Sequence, residues 1–163
     1  MLPAAYNDPS TEILELNADL ISFDSEISTY LPPQQQVFIK SNLGSFVDAI
    51  VLALSFKLTS MNAHGRDRMA LNLLVLLQNL KALAPGAALD RSSAYYEMFG
   101  DGPEKIVERA RKKDFAGFDY DQLKGLIELS FSEGIQSERR DVSVAAKRTC
   151  DDLVLQLSEF MWA

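Results

Sequence analysis

The stretch LGSFVDAIVLALSFKL (Leu43–Leu58) carries the cleanest periodicity in the sequence. Its apolar residues Leu43, Phe46, Val47, Ile50, Val51, Leu54 and Leu58 fall at +3, +4, +7, +8, +11 and +15. That is the spacing of one face of an α-helix, not the alternation of a strand. A stripe so broad predicts burial against other helices.

The flanking segments read the same way. Upstream, Asp8-Pro9-Ser10 opens a helix with Ser10 or Thr11 as its cap. Ile13, Leu16, Leu20, Ile27, Tyr30 and Leu31 then share one face. Pro32-Pro33 ends that helix, because neither proline donates a backbone hydrogen bond and Leu31 is pushed to extended geometry. Downstream, Asn62-Ala63-His64-Gly65 breaks the pattern. Met69–Leu83 (MALNLLVLLQNLKAL) is apolar around most of its circumference, which predicts a central helix closed by Pro85-Gly86.

The second half is punctuated more tightly. Asp90 is expected to cap a short helix carrying Tyr95, Tyr96 and Phe99. Gly100-Asp101-Gly102-Pro103 reads as a turn, with Pro103 suited to the first position of a helix through Ile106, Val107 and Ala110. After the loop 114–118, Asp119 caps a helix bearing Leu123, Leu126, Ile127 and Phe131. Beyond Gly134 the last helix presents Val142, Ala146, Cys150, Leu153, Leu157 and Phe160. No strand-like alternation and no 20–50-residue repeat interrupts this. The expectation is an all-α fold, an antiparallel helical bundle of about seven helices in a single domain over residues 1–163.

Composition sets the outer limits. A chain of 163 residues buries about 70% of its unfolded surface, so it needs neither disulfide nor metal to fold. Cys150 is the single cysteine, which excludes an internal disulfide. Sixteen Lys and Arg against 23 Asp and Glu give a formal charge of −7, the wrong sign for a nucleic-acid binder. The N-terminal MLPAAYNDPSTEIL lacks the basic and apolar regions of a signal peptide. The longest apolar runs, around Ile50–Phe56 and Leu73–Leu77, are far shorter than the ~20 residues of a membrane span, so a soluble chain is expected.

Catalytic patterns are missing from the sequence. Nucleophilic catalysis needs an activated nucleophile beside a base, and Cys150 and His64 have no marked context. Cys150 fits the core stripe of the last helix, and His64 is expected in a solvated polar turn. One histidine and one cysteine do not make a structural zinc site, and no phosphate-binding loop is present. Asp119 and Asp121 lack the following oxygen ligands of a calcium loop; a cap and a first-turn acid explain them. No catalytic, cofactor-binding or metal residue is assigned. The one compact basic cluster, ERARKK (Glu108–Lys113), offers Arg109, Arg111, Lys112 and Lys113 as a contact patch for phosphoinositide or an acidic partner. The plainer reading is a helix C-terminus whose cations complement the macrodipole. Aromatic residues Tyr95, Tyr96, Phe99, Phe115, Phe118, Tyr120 and Trp162 are read as core, with Phe160-Met161-Trp162 folded back onto the bundle.

One region is specific enough to compare with a family. NLLVLLQNLKAL (Asn72–Leu83), then LDRSSAYYEMF (Leu89–Phe99) and Pro103-Glu104, resembles the C-terminal region of the exocyst subunit Sec-eight, also termed exocyst component four. Asn72, Val75, Gln78, Asn79, Leu80 and Lys81 fit its N-x-x-V-L-x-Q-N-L-K helix. Leu89, Asp90, Tyr95, Tyr96 and Glu97 fit its L-D-x-x-x-x-Y-Y-E-L segment. Leu77 departs from the glutamine often found there. FDYDQLKGLIELSFSE (Phe118–Glu133) resembles the helix that follows.

The resemblance implies a C-terminal fragment of a longer, rod-like, non-catalytic subunit. It would act in the cytoplasm, peripheral to the plasma membrane at sites of secretion, tethering vesicles before SNARE-driven fusion. Its implied partners are other exocyst subunits, with SNARE or small-GTPase regulators as further contacts. The competing reading is a free-standing helical adaptor that grips a partner helix. A third is a peripheral membrane binder, which requires the Arg109–Lys113 cluster on an exposed, net positive face.

Overall fold

A computed structural model describes residues 8–162; the reading of the extreme N-terminus therefore falls largely on residues 1–7, outside the described ones. Among the described residues there are helices and turns and no strand, as the periodicity predicts. In chain order the α-helices are α1 (Thr11–Tyr30), α2 (Pro33–Ala53), α3 (Ala63–Leu83), α4 (Asp90–Asp101), α5 (Pro103–Arg111), α6 (Tyr120–Ser130), α7 (Ser132–Ile135) and α8 (Arg140–Trp162). A 3-10 turn at Ser55–Lys57 follows α2. The chain divides into two compact units: Met1–Ala53 with Asp67–Ala94, and Leu54–Arg66 with Tyr95–Ala163.

The first unit holds α1, α2, most of α3 and the start of α4. Leu31 takes extended geometry before Pro32, and Pro33 opens α2, so the two prolines form a hinge between antiparallel helices. Lys40 reaches back across the hairpin to Asp24 at 2.5 Å. The backbone N–H of Ser10, at the start of α1, donates to Asn72 Oδ1 of α3 at 2.9 Å.

Two expectations for this unit are corrected. The stripe of α2 is not buried: Phe46 is 63% exposed and Ile50 40%, while Gly44, Asp48 and Leu52 face inward. Close approach and polar satisfaction fix that rotation. A Cβ on Gly44 would stand 2.9 Å from Ala87 Cβ, so glycine lets α2 lie against the turn after α3. Asp48 then reaches the open N-terminus of α4. Its Oδ1 accepts from the Ser92 N–H at 2.9 Å and from the Ser92 hydroxyl, and its Oδ2 accepts from the Arg91 N–H at 3.2 Å. Those amide donors have no intrahelical partner, so a carboxylate there outranks a few more buried methyl groups. The cap of α4 is thus Asp48 of α2, not Asp90.

Nor is α3 buried on all sides. Leu73, Leu76 and Leu80 form its inward seam, whereas Leu74 is 52% exposed. His64 lies in the first turn of α3 and is exposed; Asn62 caps that turn, its Oδ1 accepting from the Gly65 N–H at 2.8 Å.

The second unit closes around α8, which packs on α5, α6 and α7. Ile106, Val107 and Ala110 of α5, Leu123, Leu126 and Ile127 of α6, and Cys150, Leu153 and Leu157 of α8 are buried. Gly102, at φ +93°, makes the turn before Pro103, a backbone conformation open chiefly to glycine. Asp119 forms a reciprocal capping box with Gln122: Asp119 Oδ1 accepts the Gln122 N–H at 2.8 Å, and Gln122 Oε1 accepts the Asp119 N–H at 3.1 Å. Tyr95 and Phe118 meet edge to face at 5.6 Å. The Tyr95 hydroxyl donates to the Gln122 carbonyl at 3.2 Å.

Of the C-terminal Phe160-Met161-Trp162, the first two are half-buried on the bundle and Trp162 is exposed. No glycine or proline follows Gly134, so α8 runs unbroken to Trp162. The indole is 77% exposed and lies 6.5 Å from the Tyr120 ring.

One helix passes the length and composition test for a membrane span. The helical run Pro33–Lys57 is 25 residues long, and an 18-residue window within it has mean hydropathy 1.6, enough by length and composition to cross a bilayer. Counting only uninterrupted apolar residues overlooks it, because Ser45 and Asp48 break the runs. A bundle helix meets the same two criteria, and within this run Lys40 pairs with Asp24 and Asp48 caps α4.

Candidate functional site

The basic cluster forms where α5 ends. Arg109, Arg111, Lys112 and Lys113 are brought into one turn, and Arg109, Lys112 and Lys113 are each tied to their own chain. Arg109 Nε meets Asp114 Oδ2 at 3.0 Å, and Lys112 Nζ meets Glu108 Oε1 at 2.6 Å. The Lys112 hydrogen bond comes first in holding the Glu108 carboxyl below its ordinary range, with Arg111 adding its charge. Asp114 is lowered in the same way by Arg109. Lys113, at φ +59°, turns the chain out of the helix and donates from Nζ to the Phe160 carbonyl of α8 at 2.9 Å. The cations therefore complement the carbonyl ends of two helices, α5 and α8.

Candidate chemistry elsewhere is sparse. Cys150 is buried, and its thiol is pushed up from the ordinary value by burial, then by Glu128 and Asp151. An activated thiol requires the opposite shift. Among the described residues no three His, Cys, Asp or Glu side chains converge as a metal set. A depression of about 290 Å³ in the second unit is lined by Ser55, Phe56, Thr59, Asp121, Lys124 and Glu128. Lys124 and Glu128 pair across it at 3.7 Å, so it presents both signs of charge.

The most distinctive surface lies on the first unit, and the basic cluster gave no hint of it. Ile39, Leu43, Phe46 and Ile50 are spaced +4, +3 and +4 along α2, a continuous helical seam. Phe46 and Ile50 are exposed, and Ile39 and Leu43 are half-buried. On α1, Leu14 (51% exposed) and Ile21 (60%) are seven residues apart and share a face. Charge is concentrated on the same hairpin. Within α1 and α2 the sequence holds six Asp and Glu against Lys40 alone, so −5 of the formal −7 sits in these two helices. Counting charge by segment reveals this in the sequence; the exposure needs the fold. Beside Val37 and Lys40, a notch of about 270 Å³ opens against the Ala84-Pro85-Gly86 turn.

No family model and no solved structure matches this sequence. The chain is 34% identical over 200 residues to the probable exocyst complex component sec8 of Neurospora crassa. The match takes in 99% of this chain and 18% of that protein, so the chain spans less than a fifth of its curated relative. Every described helix falls within the matched length. The similarity therefore reaches well beyond the Asn72–Leu83 and Leu89–Phe99 motifs, and the chain belongs to the Sec-eight family of exocyst components, matching their C-terminal region.

Proposed function

We propose that this chain is a non-catalytic structural and interaction module of the exocyst. It contributes helical span and protein-binding faces to a cytoplasmic complex that tethers secretory vesicles at the plasma membrane before SNARE-mediated fusion. The observation that carries the reading is the 34% identity over 99% of the chain to an exocyst component. The architecture suits the role, since helices supply stiff span at ~1.5 Å per residue and expose long faces. Its partners on this reading are the other exocyst subunits, with SNARE proteins and small GTPases as regulators of the assembled complex. The cations at the end of α5 serve helix termination, and the contact surface lies on α1 and α2.

The test is affinity purification of the tagged chain from a eukaryotic extract at moderate salt, followed by mass spectrometry. Exocyst subunits recovered in fixed ratio are the expected result. Their absence, with one unrelated protein enriched instead, would favour a free-standing adaptor. The open apolar face of α2 makes that second reading specific.

A further inference from the structure

We infer that the α1–α2 surface docks an amphipathic helix of another protein, its apolar seam bordered by Lys and Arg. The inference deepens the assembly reading and rests on it only for where such a partner is found. Phe46 and Ile50, with the half-buried Ile39 and Leu43, form a seam of four residues over about 16 Å of helix. Three or four turns of a partner helix cover that length, through anchors at i, i+3 or i+4 spacing. Exposed apolar seams of this kind mark interaction sites.

Charge selects among the occupants. Glu12, Glu15, Asp19 and Glu26 are all exposed on α1, which carries no basic residue at all. Lys40, the single base of the hairpin, is already paired with Asp24. A second copy of the chain would bring two acidic faces together, each with Glu12, Glu15, Asp19 and Glu26 exposed. An anionic bilayer meets the same repulsion. A helix with basic edges removes it, and fixes register while the apolar residues supply affinity.

The experiment places a photoreactive benzophenone side chain at position 46 of the full-length subunit in cells. A control carries it at position 155, where Leu155 is 61% exposed on α8. The expected adduct at position 46, and not at 155, is a peptide of another protein with apolar residues at helical spacing and an excess of Lys and Arg beside them. Reversing Asp19→Lys together with Glu26→Lys should lower its yield at least about threefold, the scale of two exposed ion pairs. Circular dichroism checks that the variant stays helical. An adduct with the subunit itself, a second copy, lipid or an acidic helix overturns the inference. So does the same adduct at both positions, a yield indifferent to charge reversal, or no adduct while the other exocyst subunits co-purify. A basic-edged adduct without exocyst subunits in the purification overturns only the assembly reading.

Discussion

The two units use helices of similar composition and handle their apolar residues in opposite ways. In the second unit each long helix has one apolar stripe, and the stripes of α5, α6 and α8 meet: Ile106, Ala110, Leu126, Ile127 and Leu157 are each at most 1% exposed. In the first unit α2 has a stripe broader than its neighbours can cover, and the residues turned inward are Gly44, Asp48 and Leu52. A helix with a narrow stripe has one way to face, so packing decides its rotation. A helix with a broad stripe has several, and there a close backbone approach or a buried cap decides. The apolar residues left over become a surface.

The largest expected effect breaks the second unit. Leu126 is fully buried in α6. Leu126→Ala should cost about 3 kcal/mol, the transfer of the lost methyl groups plus a cavity, read as a fall in the urea midpoint. Asp48→Ala comes next and tests the first unit. It leaves the Arg91 and Ser92 amides and the Ser92 hydroxyl without their carboxylate, for about 2 kcal/mol, on the scale of a lost N-cap. If Asp48→Ala leaves the midpoint unchanged, the cap does not set the rotation of α2. Gly44→Ala should cost about 1 kcal/mol. Overpacking against Ala87 costs roughly 1–3 kcal/mol and the better helix propensity returns up to about 1.

These residues also mark where the sequence can be read and where it cannot. The Asp119 cap, Pro103 after Gly102, and the Cys150–Leu153–Leu157 stripe were legible because each is set within one or two turns of chain. Asp48 gave no such signal, since its partners lie 43 and 44 positions away. Read locally, a carboxylate beside Val47 and Ile50 belongs on the polar edge, so the burial of α2 came out rotated. The proposed docking surface divides in the same way. Its acidity can be counted in the sequence, whereas the exposure of Phe46 depends on contacts made by Gly44 and Asp48.

High pH sharpens the contrast from the other side. Burial raises the phenol of Tyr96 to about 12 and raises Tyr95 as well, although a Ser55 hydrogen bond works against the second shift. The Cys150 thiol moves the same way. Because these folded-state values lie above the unfolded ones, the neutral forms contribute stability in full below about pH 9. That contribution is lost as pH rises through 10 towards 12. All three groups belong to the second unit. Its probes, such as exchange at α6 and α8 amides, should lose protection on raising the pH before those of α1 and α2 show any titration-linked loss.

The smallest expected effect is the most telling. Phe46→Ser removes a large aromatic side chain, but that side chain is 63% exposed and only part of it leaves a packed environment. The urea midpoint should therefore move by no more than about 0.5 kcal/mol, the range of ordinary surface substitutions. Binding of the partner helix should fall by much more, since aromatic anchors dominate such interfaces. A loss of stability near that of Leu126→Ala would mean that α2 is covered by its own chain and that the two units are alike after all. A neutral midpoint with lost binding would show that the stripe leading the sequence towards a helical fold is kept for contact with another molecule.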